Sequence, residues 1–161
     1  MNKQKENGVG IVEAIVVIST MSVAFAALLS VSIFFIRSGL YSAEETQAVY
    51  LLEEGFEAAR FMRDDSFSLR ISPLIGAGAT YLVPTTSAWV ATSSAVVLLE
   101  KFSRTLEFSE VYRRSSDGTI VPASSPDPKT LDTGTVRLEG EVSWSTGSIR
   151  AVTYLTDLYE N

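Results

Sequence analysis

From Ala14 to Ile36 the chain carries no charged residue. With the residues just before it, the apolar run extends from Val9 to Ile36 and is broken by a single charge, Glu13. As a helix rising 1.5 Å per residue this run covers about 42 Å, against about 30 Å of bilayer hydrocarbon, so it is long enough to cross a membrane. A secretory signal peptide has an apolar region of about 7–15 residues followed by a small-residue cleavage site. This run is longer and has no convincing site of that kind. A plain signal anchor accounts for the length but not for Glu13. A carboxylate in a membrane-length segment is costly, which calls for a partner and a function.

The residues ahead of the run are Lys3-Gln4-Lys5-Glu6-Asn7-Gly8, a short basic leader ending in glycine, and Glu13 follows that glycine by five positions. Leader, glycine, glutamate and long apolar stretch together resemble the N-terminus of a type IV prepilin, the class III signal of the type IV pilin and pseudopilin family. The resemblance covers the N-terminal third of the chain. It implies that a membrane-embedded prepilin peptidase cuts between Gly8 and Val9 and methylates the new N-terminus at Val9. It also implies that Glu13, by then the fifth residue of the mature chain, pairs with the methylated amine of Val9 on a neighbouring subunit. The physics of charge burial agrees. The cut creates a positive charge in a low-dielectric setting beside a carboxylate that also lacks water, and pairing relieves both. Such a pair sets axial register more than it supplies net energy.

The family usually opens its mature chain with Phe, often followed by Thr, where this chain has Val9 and Gly10. Major pilins often carry a proline midway along the apolar helix, where this chain has Ser30 and its neighbours. Many pilins close a C-terminal loop with a disulfide, and this chain has no cysteine. These departures favour a minor pilin or pseudopilin over a major subunit. The stretch from Tyr50 to Asp64 is similar to one seen in PilV-like minor pilins of small-genome bacteria, although taken alone it reads simply as an amphipathic helix.

A length of 161 residues fits one domain plus an anchor. Without the apolar run, roughly 120 residues remain, enough for one small core. The net charge of −6 argues against general nucleic-acid binding, which depends on neutralising phosphates, and leaves open a local basic patch. The absence of histidine and cysteine removes the commonest general base, the commonest metal ligand and any thiolate. Lys3 and Lys5 against the lone Arg37 place the N-terminal end in the cytoplasm and everything past Arg37 outside it.

No proline occurs before Pro73, and helix formers dominate Ala43 to Arg63. Val49, Leu52, Phe56, Ala59 and Met62 recur at spacings of three and four, which predicts one apolar helical face. One helix is therefore expected from about Val9 to about Asp64, roughly 84 Å long, with Gly39 and Gly55 as its weak points. Past Asp65 the period becomes two. Val136, Leu138, Gly140, Val142 and Trp144 alternate with polar residues, Ser145-Thr146-Gly147-Ser148 reads as a hairpin turn, and Ile149 to Leu155 as the return strand. Leu106, Phe108 and Tyr112 mark another strand, interrupted on its apolar side by Glu110. A turn at Ser115–Gly118 leads to a short Thr119–Val121 strand, with weaker strands at Ala79–Val83 and Ala95–Phe102. Pro122 to Gly134, with three prolines, predicts a loop. The expected fold is α+β and type IV pilin-like: a long N-terminal helix, transmembrane and then amphipathic, packed on a C-terminal antiparallel β-sheet with one face toward solvent. The expected divisions are a leader at 1–8, a transmembrane or filament-core segment at 9–36, an amphipathic segment at 37–65 and a sheet head at 66–161.

No catalytic constellation is visible, so an enzyme is not expected, and neither is a cofactor. Without histidine there is no Ser-His-Asp set, and nothing local supports a Ser-Lys pair with Lys101 or Lys129. Asp64-Asp65 reads as a solvated helix end more than as a metal pair, and Asp127 and Asp132 as part of a polar loop more than as a calcium site. Arg104, Arg113 and Arg114 fit either a small basic patch for DNA or paired strand ends. The expected role is a non-enzymatic subunit of a type IV pilus or related filament, inserted in the inner membrane and then displayed at the cell surface. Its partners would be other pilin subunits, the prepilin peptidase, the inner-membrane assembly platform and, before assembly, lipid. Two alternatives remain: a pseudopilin of a type II secretion or DNA-uptake machine, and a static membrane-anchored binding domain.

Overall fold

The structure, a computed structural model, describes residues 9–158. The leader at 1–8, with Lys3, Lys5 and Gly8, lies outside the described residues. Helix α1 runs Val9–Ser66, so the helix expected to end near Asp64 ends two residues later. Contacts divide the chain into two compact units, Met1–Glu44 and Glu45–Asn161, and the division falls inside α1.

In the first unit, every residue whose exposure is described from Gly10 to Ala43 is exposed. This helix is long and apolar enough to cross a membrane. Its hydroxyls are satisfied within the helix: Ser19, Ser22, Ser30 and Ser32 each donate to the carbonyl four residues back, at 2.7–2.9 Å. Thr20 donates to the carbonyls of Val16 and Val17. A serine that closes its own hydrogen bond in this way is compatible with an apolar solvent.

In the second unit, the continuation of α1 presents a stripe of Ala48, Leu51, Leu52, Ala58, Ala59 and Met62, all buried. The stripe is turned slightly from the expected one. Val49 is 44% exposed, because the small Ala48 and not its neighbour takes the position facing the sheet. After Ser66 a wide helical turn, Phe67–Ile71, and a single tight turn, Ser72–Leu74, bring the chain to the sheet. Ser66 leaves helical geometry and its hydroxyl accepts from the Leu69 N–H at 3.2 Å, which stops α1. The acidic end of the helix is paired locally, Asp64 with Arg63 and Asp65 with Arg70.

The strands are β1 (Tyr81–Pro84), β2 (Trp89–Thr92), β3 (Val97–Leu98), β4 (Phe102–Arg114), β5 (Ile120–Val121), β6 (Lys129–Trp144) and β7 (Gly147–Thr156). β1 and β2 form a separate hairpin, and the rest form an antiparallel sheet of order β3-β4-β6-β7 with β5 on β4. β2 was not expected; its four residues become a strand by pairing with β1 across a loop that Thr85 closes onto Ala88. The β6–β7 hairpin turns at Ser145-Thr146, as predicted. Two other expectations are corrected. The ladder between β4 and β6 shifts register at Glu110/Val111, so Val111 and not Tyr112 continues the buried row. The Pro122–Gly134 segment is a loop only up to Pro128, since Lys129–Asp132 pairs with Val111–Arg114.

One face of this sheet meets α1. Leu106, Phe108, Val136, Leu138 and Leu155 pack with Ala58, Ala59 and Met62, while Phe102, Val142 and Trp144 pack with Ala48, Leu51 and Leu52. Each side chain of this size contributes about 1.5–3 kcal/mol when fully buried. Gly140 sits in the middle of that face. A Cβ there would lie 2.6 Å from Leu52 Cδ1 and 2.9 Å from Phe56 Cε1, so glycine lets the helix seat on the strand.

Candidate assembly site

The residues expected to carry assembly sit at the start of α1. Gly8, one side of the expected cut, lies outside the described residues. Val9 begins the helix. Glu13 lies one turn further, at the i+4 position that shares a helix face with Val9. Helical side chains lean toward the N-terminus, so the Glu13 carboxylate is carried toward the end of the helix where four backbone N–H groups lack helical partners. It is exposed, as are its neighbours Val12 and Ile15, so among the described residues it stands on an apolar surface with nothing packed over it. Among the described residues it makes no ion pair.

The second unit resolves the three arginines differently from a basic patch. Arg104 is 3% exposed. Its guanidinium donates to the Leu51 carbonyl at 2.7 Å and the Leu82 carbonyl at 3.3 Å, lies 3.4 Å from Glu54 and stands 5.9 Å from the centre of the Trp89 ring. It is a fastener between helix, β1 and β4, and Gly55 makes room for it: a Cβ on Gly55 would lie 2.8 Å from Arg104 Cδ. The sequence did signal this position, since Arg104 shares parity with the buried Phe102, Leu106 and Phe108. Arg113 pairs with Asp132 at 2.6 Å, and Arg114 with Asp127 and Asp117 at 2.8 and 2.9 Å. All three cations are thus engaged by the chain itself.

Asp132, Asp117 and Arg114 are shifted by their surroundings. Burial pushes the Asp132 carboxyl up, but hydrogen bonds from Arg113, Thr135 and the Gly134 N–H outweigh it and leave it below the usual carboxylate range. Asp117 is held low mainly by the Thr119 backbone N–H, with Arg114 adding to the effect. Arg114 is raised by its bonds to Asp127 and Asp117. Asp127 and Asp132 therefore answer arginines, and among the described residues no group of three or more His, Cys, Asp or Glu side chains is placed to hold a metal. No protein-family model matches the sequence, and neither a curated protein nor a solved structure matches it significantly.

Proposed function

We propose that this chain is a non-enzymatic structural subunit of a type IV pilus or related filament, most like a minor pilin. It is inserted as a single-span precursor with its N-terminus in the cytoplasm. Prepilin peptidase cuts it after Gly8 and methylates Val9, and the assembly platform then moves it from the inner membrane into a surface filament. The observation that carries this reading is Glu13, a lone exposed carboxylate one turn into a helix long and apolar enough to cross a membrane. A charge costs about 3 kcal/mol at the centre of a transmembrane helix on an insertion scale and less toward its ends, and a neighbour's N-terminal amine offsets Glu13's share of that cost in an assembled filament but not in lipid. The helix then exchanges lipid for the apolar helices of other subunits. Support for a sheet head facing outward comes from the second unit, whose polar sheet face is left to solvent. The missing cysteines and the Val9 start keep a pseudopilin of a secretion or DNA-uptake machine as the second reading.

The test is Glu13→Ala in the native host. Membrane insertion should be unchanged, since the substitution removes a cost. Incorporation into sheared filaments should fall by about tenfold or more, the equivalent of about 1.4 kcal/mol per subunit. Incorporation at the wild-type level would remove the pairing from the account.

A further inference from the structure

Two local rules of folding fail together between β2 and β4. Ala95-Val96-Val97-Leu98-Leu99 is a run of five apolar residues, and none of them is buried. Val97 and Leu99 are 66% and 64% exposed. A run of this kind on a surface is a fault unless it has a function. The turn that ends it is strained as well. The Lys101 N–H donates to the Leu98 carbonyl at 3.1 Å, and the two residues between them, Leu99 and Glu100, have φ of 47° and 63°. They are the only non-glycine residues with positive φ among the described residues. Asn-Gly is the pair that takes this primed geometry at least cost. A leucine there neither suits the turn nor fills a core, and strain kept without a gain in packing points to a function.

The position of this turn follows from the packing of β4. Phe102, which opens β4, packs with Ala48, Leu51 and Trp144, while Leu106 and Phe108 pack further along with Ala58, Ala59 and Met62. α1 passes Ala48 before Met62, so β4 starts, and the turn stands, at the end of the second unit where α1 enters it. Ile36, the last residue of the apolar run, precedes Ala48 by 12 positions. As helix that is about 18 Å, so a bilayer crossed by the run lies within reach of this end. Tyr50 is exposed at the same end, and tyrosine is favoured at membrane–water interfaces. The two charges of the tip, Glu100 and Lys101, are opposite in sign, which suits an apolar contact with a zwitterionic bilayer over an electrostatic one.

We infer that the β3–β4 turn is a second membrane contact, in which Val97 and Leu99 enter the headgroup–acyl margin of the bilayer that α1 crosses. Two apolar side chains alone bind a membrane weakly, but on a chain already anchored the contact is intramolecular, and the short tether sets its effective concentration. The contact holds the second unit down against the membrane surface. It rests on the reading of α1 as a membrane span and not on the filament reading.

The chain has no cysteine, so a single introduced cysteine carries a small fluorophore to one position. The whole chain labelled at Ala26→Cys, Val97→Cys, Leu99→Cys or Leu131→Cys would be reconstituted in phosphatidylcholine vesicles that include a lipid with a quencher on its acyl chain. Leu131 is the control, an exposed apolar residue paired with Tyr112 toward the other end of β4. Labels at 97 and 99 should sit about 5–10 Å into the headgroup–acyl boundary and be quenched about threefold more strongly than the label at 131. Leu99→Gly keeps the turn, since glycine accepts a positive φ, and removes the apolar tip. In that variant quenching at 97 should drop to the level at 131 while the melting temperature does not fall. Quenching at 26 with 97 and 99 no more quenched than 131, or quenching at 97 unchanged by Leu99→Gly, would overturn the tip contact and leave the span in place. No quenching at 26 would overturn the span and the tip contact with it.

Discussion

Glycine 140 shows how much a single missing methyl group organises this molecule. It lies on the buried face of β6 between Leu138 and Val142, and the space beside it is taken by Leu52, Phe56 and Leu106. Gly55 plays the matching role on the helix, where Arg104 passes. Adding a methyl group at either site forces close-packed neighbours to move. Gly140→Ala should destabilise the second unit by about 1–3 kcal/mol, as overpacking does. Gly39→Ala, whose new Cβ would meet nothing within 4 Å, should cost nothing and gain up to about 1 kcal/mol of helix propensity. Chemical denaturation followed by tryptophan fluorescence would distinguish them, and equal effects would contradict the seating of α1 on β6. The parity of Gly140 was readable from the alternation around it. The reason for a glycine there was not, because two of the three side chains that fill its space, Leu52 and Phe56, come from a helix more than eighty positions earlier in the sequence.

At the scale of elements, the part of the sheet furthest from sequence reasoning is the region joining β4, β5 and β6. Glu110 broke the apolar alternation, and the break proves to be a register shift that hands the buried position to Val111. Lys129–Asp132 looked like loop because three prolines precede it, yet its pairing is decided by Val111–Arg114, which local composition cannot report. α1, β7 and most of β6 were legible because each carries a long, regular apolar period. The Arg113–Asp132 and Arg114–Asp117–Asp127 pairs hold this region together. Asp132 and Asp117 are both held below their ordinary range in the folded chain. A depressed carboxylate contributes stability that is complete above its unfolded value, near 3.9, and is lost as pH falls through the folded value. Melting temperature should therefore be flat from about pH 7 to 5 and decline below about pH 4. Asp132→Asn should be less stable near neutrality and show a shallower acid decline. An unchanged acid slope in that variant would show that the Arg113–Asp132 pair does not contribute.

At the scale of the whole molecule, two units with opposite solvent demands share one helix. Residues 10–43 form an exposed stretch of helix in a run that is apolar from Val9 to Ile36 apart from Glu13, while the second unit builds its own core between the rest of α1 and an antiparallel sheet. The α+β layout was readable from the change of period near Asp65. The candidate site stands out for a different reason: one charge in an uncharged run is visible without any tertiary information. A membrane anchor alone would account for the apolar helix, whereas the filament account requires in addition a cut beside Gly8 and a modified amine at Val9. N-terminal peptide mass spectrometry of the protein from native membranes and from sheared surface filaments tests that requirement directly. The account predicts a chain beginning at N-methylated Val9 and present in the sheared filaments. A chain still beginning at Met1 in membranes and absent from filaments would contradict it.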